Sequence, residues 1–241
     1  MTMEIDKPAG CQLLDFRADA MVENLLGFAS SICSSTGSSF FWLDRSGNPS
    51  NMLLLNIPGA MYTDYLSRIN RRDPLYMKRI TTDDDNRVVM LNDALLECDS
   101  KQVAGYISFL GDYEIGDEVN FIFRHESRPI AGLALMRGKG EAPFSGESYN
   151  WELMHRHFEL VLKNHETTRA MVAEDRLVER FGLTKREREV VSLLTAGCSN
   201  VEIAESMGRS LATTKTHIAN IYEKMGINNR ASAVALALRF D

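Results

Sequence analysis

The sequence predicts an α+β chain: an N-terminal domain built on an antiparallel sheet, followed by an all-α domain of four helices. Three observations lead there. Short apolar runs separated by turn clusters fill the first 140 or so residues. Four consecutive segments after residue 180 carry helix start and stop signals. Charge divides the same way, because Arg176 onward holds ten Lys or Arg against seven Asp or Glu, a net of +3, and the first 175 residues hold 17 against 26, a net of -9. Such asymmetry suggests two modules with different partners.

In the N-terminal part, Ala18 to Ile32, "ADAMVENLLGFASSI", has helical apolar spacing and is closed by "SSTGSS". "FFWLD" and "MLLLNI" read as strands joined by "RSGNPS", "YTDYLSRI" as a helix, and "TTDDDN" as a polar loop. "KQVAGYISFLG" is a further helix, "EVNFIFR" and "PIAGLALMR" form a hairpin across "HESR", and one long helix is expected from Ser145 to Glu174. An antiparallel sheet covered on one face follows, in the layout of small-molecule sensor domains of the PAS/GAF kind. The expected domains are 1–170, a helical linker at 171–179, and 180–241 with the helix-turn-helix at about 200–219.

Composition, 44% apolar and 25% charged, is that of an ordinary globular chain, and no apolar run approaches the roughly 18 to 20 residues that span a bilayer. "MTMEIDKPAG" lacks a basic region followed by an apolar one, so a cytoplasmic location and no membrane association are expected. Cys11, Cys33, Cys98 and Cys198 are scattered and read as reduced structural thiols. His155, His157 and His165 point to different helix faces and read as surface histidines. No metal, cofactor or catalytic residue is expected: there is no phosphate-binding glycine loop, ligand spacing or nucleophile motif, and "GKGEAPFSGES" lacks Walker spacing.

The C-terminal segments are sharper. In "LTKREREVVSLLTAG", Thr184 and Glu187 form a capping box and Gly197 a stop. "SNVEIAESMG" repeats the device with Ser199, Glu202 and Gly208. "SLATTKTHIANIYEKMG" starts at the cap Ser210 and ends at Gly226, and "NRASAVALALRF" is the fourth helix. Leu211, Thr214, Ile218, Ile221 and Met225 define the buried stripe of the third helix. Ala212, Thr216, Ala219 and Glu223 project opposite, flanked by Lys215 and Asn220. Two short helices joined by "MGRS", the second exposing small and polar groups, make a helix-turn-helix able to lie in a major groove of double-stranded DNA.

The run from "LTKREREV" through "GCSNVEIA", "TTKTH" and "KMGINNR" closely resembles the LuxR/GerE class of bacterial transcription regulators, over roughly the final quarter of the chain. The resemblance implies that Lys215, Thr216 and Ala219 meet base edges and that Thr213, His217 and Lys224 lie near phosphates, with Asn220 beside them. Thr214 stands where Val is usual, and its hydroxyl is expected to bond back one turn. It further implies a homodimer, with Ala231, Ala235 and Leu238 as candidates in the fourth helix, and RNA polymerase as a promoter partner.

Members with a phosphorylated receiver carry an acidic pair that Asp44 lacks here. "IPGAMYTDYLSRINRRDP" looks instead like the pocket segment of members that bind acyl-homoserine lactones. On that match Tyr65 and Asp73 hold a ligand's polar head, with Met61 and Met90 beside its apolar part; Trp42, Met52 and Tyr62 sit on elements that face either the pocket or the plain core. Met61 and Met90 stand where indoles are usual, so the expected ligand is a small apolar or amphipathic molecule, with a quorum-sensing signal among the candidates. The alternative is a ligand-independent regulator whose N-terminal domain binds a partner protein.

Overall fold

In the computed structural model of the chain, which describes residues 19–44, 47–69, 72–81 and 86–237, the described residues divide in sequence between Lys163 and Asn164 into two units. The first begins with helix α1 (Ala20–Ile32), whose cap Asp19 accepts the Met21 amide at 2.9 Å. Strands β1 (Gly37–Leu43) and β2 (Pro49–Leu55) follow. Helix α2 (Gly59–Asp64) runs directly into a π-helical turn, Tyr65–Ile69. Short α3 (Met77–Ile80), β3 (Val88–Met90) and α4 (Leu91–Leu96) lead to α5 (Ser100–Asp112). The long strands β4 (Ile115–His125) and β5 (Arg128–Gly138) form the expected hairpin.

All pairings are antiparallel, and the five strands lie in the order β2-β1-β5-β4-β3. Side chains alternate across the sheet. Val119, Phe121 and Phe123 therefore share one face of β4, and Glu118, Asn120 and Ile122 share the other. Helix α6 (Trp151–Lys163) covers the first: Phe121 packs on Trp151 and Phe158 at 5.9 and 5.8 Å between ring centres, and Phe123 stacks on His155 at 5.3 Å. Phe121, Phe123 and Phe158, each wholly withdrawn from water, contribute about 1.5–3 kcal/mol apiece. Helix α5 covers the second face, where the Tyr106 hydroxyl donates to Glu118 Oε2 at 2.7 Å. The sheet is thus covered on both faces, not on one. The fully apolar "FFWL" of β1, buried at every position, is the mark of a strand with no wet side.

The single helix expected from Ser145 to Glu174 is two. A 3-10 turn at Phe144–Gly146 precedes α6, which begins where Asn150 Oδ1 accepts the Leu153 amide at 2.9 Å. After Lys163 the chain turns and restarts as α7 (Glu166–Phe181), with the buried His165 Nδ1 accepting the Thr167 amide at 3.0 Å. His155 and His165 are accordingly interior groups, and only His157 of the three is exposed. Burial lowers the pKa of His155, and its Nε2–H donates to Ile122 O at 2.7 Å. Cys33, Cys98 and Cys198 form no disulfide. Cys11 lies outside the described residues.

The second unit continues with α8 (Lys185–Thr195), α9 (Asn200–Ser206), α10 (Leu211–Met225) and α11 (Arg230–Ala237). The residues expected to form the linker, 171–179, lie inside α7. Val190, Leu194, Ile203, Ile218 and Ile221 meet in one apolar core. Among the described residues, no helix is long and apolar enough to cross a membrane.

Candidate ligand cavity and nucleic-acid interface

A cavity of about 80 Å³ lies in the first unit, on the α5 face of the sheet. One water needs roughly 10–15 Å³ by the same measure, so the space exceeds that of a single solvent molecule. Its walls are largely apolar: Phe41, Leu54, Ile57, Leu75, Phe109 and Ala134 contribute, together with Met52, Met61, Met77 and Met136. The polar groups converge from three places in the chain. The π-helical turn brings Tyr65 over Asp73, whose Oδ2 accepts the Tyr65 hydroxyl at 2.7 Å and whose Oδ1 accepts the Leu75 amide at 2.7 Å. Asp73 thus both opens the turn before Pro74 and faces the cavity. From β4, Glu118 accepts Tyr106 Oη at 2.7 Å and Asn120 Nδ2 at 2.9 Å.

Electrostatically this is an acidic pocket. Burial, and then the Asp73 charge, push the Glu118 carboxyl up to about 8 against the opposing hydrogen bonds of Tyr106 and Asn120. Burial and the same carboxylates raise the Tyr65 and Tyr106 hydroxyls far above their usual range. Among the described residues that line the cavity there is no Lys, Arg or His. The buried Arg137 lies elsewhere: its Nη2 donates to Cys33 O at 2.7 Å, its Nη1 donates to Ala142 O at 2.6 Å, and its guanidinium sits over Phe144.

Of the residues expected here, Met61, Tyr62, Tyr65 and Asp73 line the cavity, as does Met52. Trp42 and Met90 do not, and the reason is strand phase. Ser39 and Phe41 point into the cavity, which sends Trp42 to the opposite face beside Phe40, with ring centres 5.3 Å apart. Met90 pairs with Val119, on that same opposite face. Glu118, Asn120, Tyr106 and Ser39 escaped the sequence reading. A signal for the first two existed, since "EVNF" places polar residues at alternate positions of an otherwise apolar strand.

The second unit presents its chemistry on its surface. Thr184 Oγ1 and Ser199 Oγ accept the amides of Glu187 and Glu202, and both glutamates return the bond, completing two capping boxes. Gly208, at φ +60°, turns the chain from α9 to Ser210, which caps α10, and Gly226 ends it in the left-handed region at φ +66°. Arg230 fastens the far side: Nη1 and Nη2 donate to Cys198 O and Leu194 O at 2.7 and 2.8 Å, satisfying carbonyls at the end of α8.

Helix α10 buries Thr214, Ile218, Ile221 and Met225, whereas Leu211, expected in that stripe, is exposed because it opens the first turn beyond the core. The Thr214 hydroxyl makes no back-bond and is buried without a hydrogen-bond partner. The back-bond belongs instead to Thr216, whose Oγ1 donates to Ala212 O at 3.2 Å. Thr213, Lys215, Thr216, His217, Ala219 and Asn220 are all exposed. Lys224 is exposed but engaged, its Nζ donating to Glu187 Oε2 at 2.8 Å. Partial burial works to raise the Glu187 carboxyl, yet the bonds from Lys224 and Thr184 hold it below its ordinary value. Beside His217 a small hollow is rimmed by Arg186 and Arg209, two further cations near the exposed helix that the sequence reading passed over. In the fourth helix Ala231 and Ala235 are exposed, and Leu238 lies outside the described residues.

A capped helix-turn-helix with an exposed, small-residue second helix defines a DNA-binding transcription regulator. Residues 182–237 match the family described as bacterial regulatory proteins, luxR family. The chain is 30% identical over 219 residues to the monoamine regulon transcriptional regulator of Klebsiella aerogenes, covering 91% of each protein. It therefore belongs to the luxR family of bacterial regulatory proteins. It is also 50% identical over 54 residues to the probable transcriptional regulatory protein SgaR of Hyphomicrobium methylovorum, a match covering 22% of this chain and 26% of that protein. The structure is similar to that of Escherichia coli SdiA, with a TM-score of 0.46 and 16% identity over 92% of this chain and 91% of the other.

Proposed function

We propose that this regulator couples promoter binding to the occupancy of its N-terminal cavity by a small amphipathic molecule. The cavity is the observation that carries the reading: an apolar chamber with polar groups gathered from the π-helical turn, α5 and β4. The name of the Klebsiella relative, which ties that protein to a monoamine regulon, supports a small-molecule signal. In this reading residues 1–170 sense, 171–179 link and 180–241 bind DNA. Lys215, Thr216 and Ala219 meet base edges, and Thr213, His217 and Asn220 approach the backbone. Lys224 reaches a phosphate only by leaving or sharing Glu187. Two copies place their recognition helices in successive major grooves about 34 Å apart, and promoter contact with RNA polymerase turns binding into activation, or occlusion into repression.

Association between copies has support of its own. Phe28 of α1 and Leu153 and Leu160 of α6 are more than half exposed, and Phe28 lies against His157, between those leucines on α6. An apolar stripe of this kind suits a protein partner, and a second copy serves the two-groove geometry. Native mass spectrometry of the chain isolated from its host tests the sensing part. A retained small molecule, lost in Asp73→Ala together with the change in DNA affinity it causes, is expected. Repeated recovery of an empty chain with a protein partner overturns sensing in favour of ligand-independent control.

A further inference from the structure

We infer that the hollow between α8, the α9–α10 turn and α10 receives one deoxyribose-phosphate unit of the operator backbone, its phosphate held by Arg186 and Arg209 and its sugar laid on Val190 and Met207. The inference rests on α10 lying in the major groove and is independent of what the N-terminal cavity takes. It starts from convergence. Arg186 stands in the first turn of α8, Arg209 in the turn that joins α9 to α10, and His217 in the second turn of α10, yet all three line one hollow of about 90 Å³. One water needs roughly 10–15 Å³ by this measure, so a larger group fits. The backbone sets Arg209 in place: Gly208 turns the chain at φ +60°, and the Arg209 amide donates to Ala204 O at 2.9 Å. The rim is cationic and the floor apolar, since Val190 is 2% exposed and Met207 packs against the same core. A sugar-phosphate unit divides in the same way, with anionic oxygens on one side and CH groups on the other.

A purely structural role accounts poorly for these arginines. The Arg186 side chain is 70% exposed, and its Nη1 donates to Glu189 Oε2 at 2.8 Å, an exposed pair one helical turn apart of the kind that adds little stability. A cation in the first turn also opposes the helix dipole. A guanidinium has five N–H donors in a flat fork, so that one bond leaves Arg186 able to serve a phosphate as well. Arg209 and His217 are exposed. The carboxylate in the hollow is already engaged: Glu187 Oε2 accepts Lys224 Nζ at 2.8 Å and the Thr184 amide at 2.7 Å. It therefore caps α8 and neutralises Lys224, and the two arginines set the sign of the rim. His217 follows Thr216 on α10, so a helix seated with Thr216 toward the bases carries the hollow to the edge of the groove, where the backbone runs. Such a contact fixes the register of the module on the duplex without reading sequence.

Ethylation interference tests the inference, using duplexes selected by the full chain from a random-sequence library and ethylated at single phosphates. Ethylation of one phosphate at the edge of the contacted groove is expected to weaken binding by the parent chain. In Arg186→Ala and in Arg209→Ala the same ethylation is expected to lose its effect. Each variant is expected to bind the unmodified duplex about tenfold more weakly at low salt, with a salt slope shallower by about one. Arg209→Lys, which keeps the charge without the fork, is expected to recover part of the affinity. Thermal melting of each variant separates these losses from misfolding. An unchanged ethylation pattern in either folded alanine variant overturns the inference. That result leaves the base-edge reading of α10 intact, because Lys215→Ala tests it separately, and it does not touch the sensing reading. A free anion offers the same chemistry from another source, so the full chain is also titrated calorimetrically with inorganic phosphate. No saturable binding is expected; saturable binding that disappears in Arg209→Ala would make the hollow a site for a free anion and overturn its assignment to the DNA backbone.

Discussion

In the first unit the polar groups that matter are withdrawn from water: Asp73, Glu118 and Tyr106 are buried at the cavity, and each is held by specific donors or acceptors. In the second unit the corresponding groups stand in solvent along one side of α10, and the interior is almost wholly aliphatic. The difference is one of electrostatic setting. A charge in the chamber acts in a medium of low effective dielectric, where one partner more or less changes protonation and stability together. Lys215 on α10 acts through screened attraction to a polyanion, and its contribution is felt in salt dependence more than in the fold.

Core substitution in the second unit should have the largest effect. Ile221 is 0% exposed and belongs to the cluster that seats α10 on α8 and α9. Ile221→Ala is expected to cost about 2–5 kcal/mol in urea unfolding and to remove DNA binding with the fold. Intact operator binding at undiminished stability would show that α10 is held by something other than this core.

Next in size comes pH. In the folded chain Glu118 keeps its proton to about 8, while in the unfolded chain it loses it near the ordinary glutamate value of about 4.3. Between those limits the folded state binds more protons, so stability from this group is full at acid pH and declines as pH rises through the window. The groups facing Glu118 are Asp73 from the turn, Tyr65 from the π-helical segment, Tyr106 from α5, and Asp117 and Asn120 from β4. His155 slopes the other way, because burial lowers its pKa and its contribution is lost as pH falls through the histidine range. Glu118→Gln should therefore flatten the decline between about pH 5 and 8 in denaturant titrations of the empty chain. An unchanged slope in the variant would mean that Glu118 is ionised throughout.

The same contrast explains what could be read in advance. The second unit's chemistry lies in one contiguous stretch, where caps, glycine stops and the spacing of Ile218, Ile221 and Met225 are local properties of the chain. The chamber is assembled from residues as distant in sequence as Ser39, Asp73 and Glu118, and only pairing register brings them together. Tyr65 and Asp73 were legible because one short segment holds both. Trp42 was placed on the wrong face because apolar content on both sides of β1 hides strand phase. The helix break at Asn164 and His165 was hidden because His is an uncommon cap, and only its burial and its bond to Thr167 reveal it.

On the exposed helix, Lys215→Ala should leave unfolding within about 0.5 kcal/mol of the parent. Its cost should appear in DNA binding, as a loss of about tenfold at low salt and a salt slope shallower by about one. Footprints unchanged across several salt concentrations would take Lys215 out of the interface, and a large fall in stability would place it in the fold.

The smallest effect separates the two sides of the recognition helix itself. Thr214 is 2% exposed, and its hydroxyl has no partner, although it stands only one position from Lys215. A buried hydroxyl without a hydrogen bond costs roughly 1 kcal/mol or more, and Val has nearly the same shape without that group. Thr214→Val should therefore raise the free energy of unfolding by about 1 kcal/mol while leaving DNA affinity and its salt dependence as they were. Weaker site-specific binding in the stabilised variant would show that the hydroxyl turns outward on the operator. In that case the boundary between the fold-bearing and DNA-facing sides of α10 would lie at Thr214 itself, with the buried stripe beginning only at Ile218.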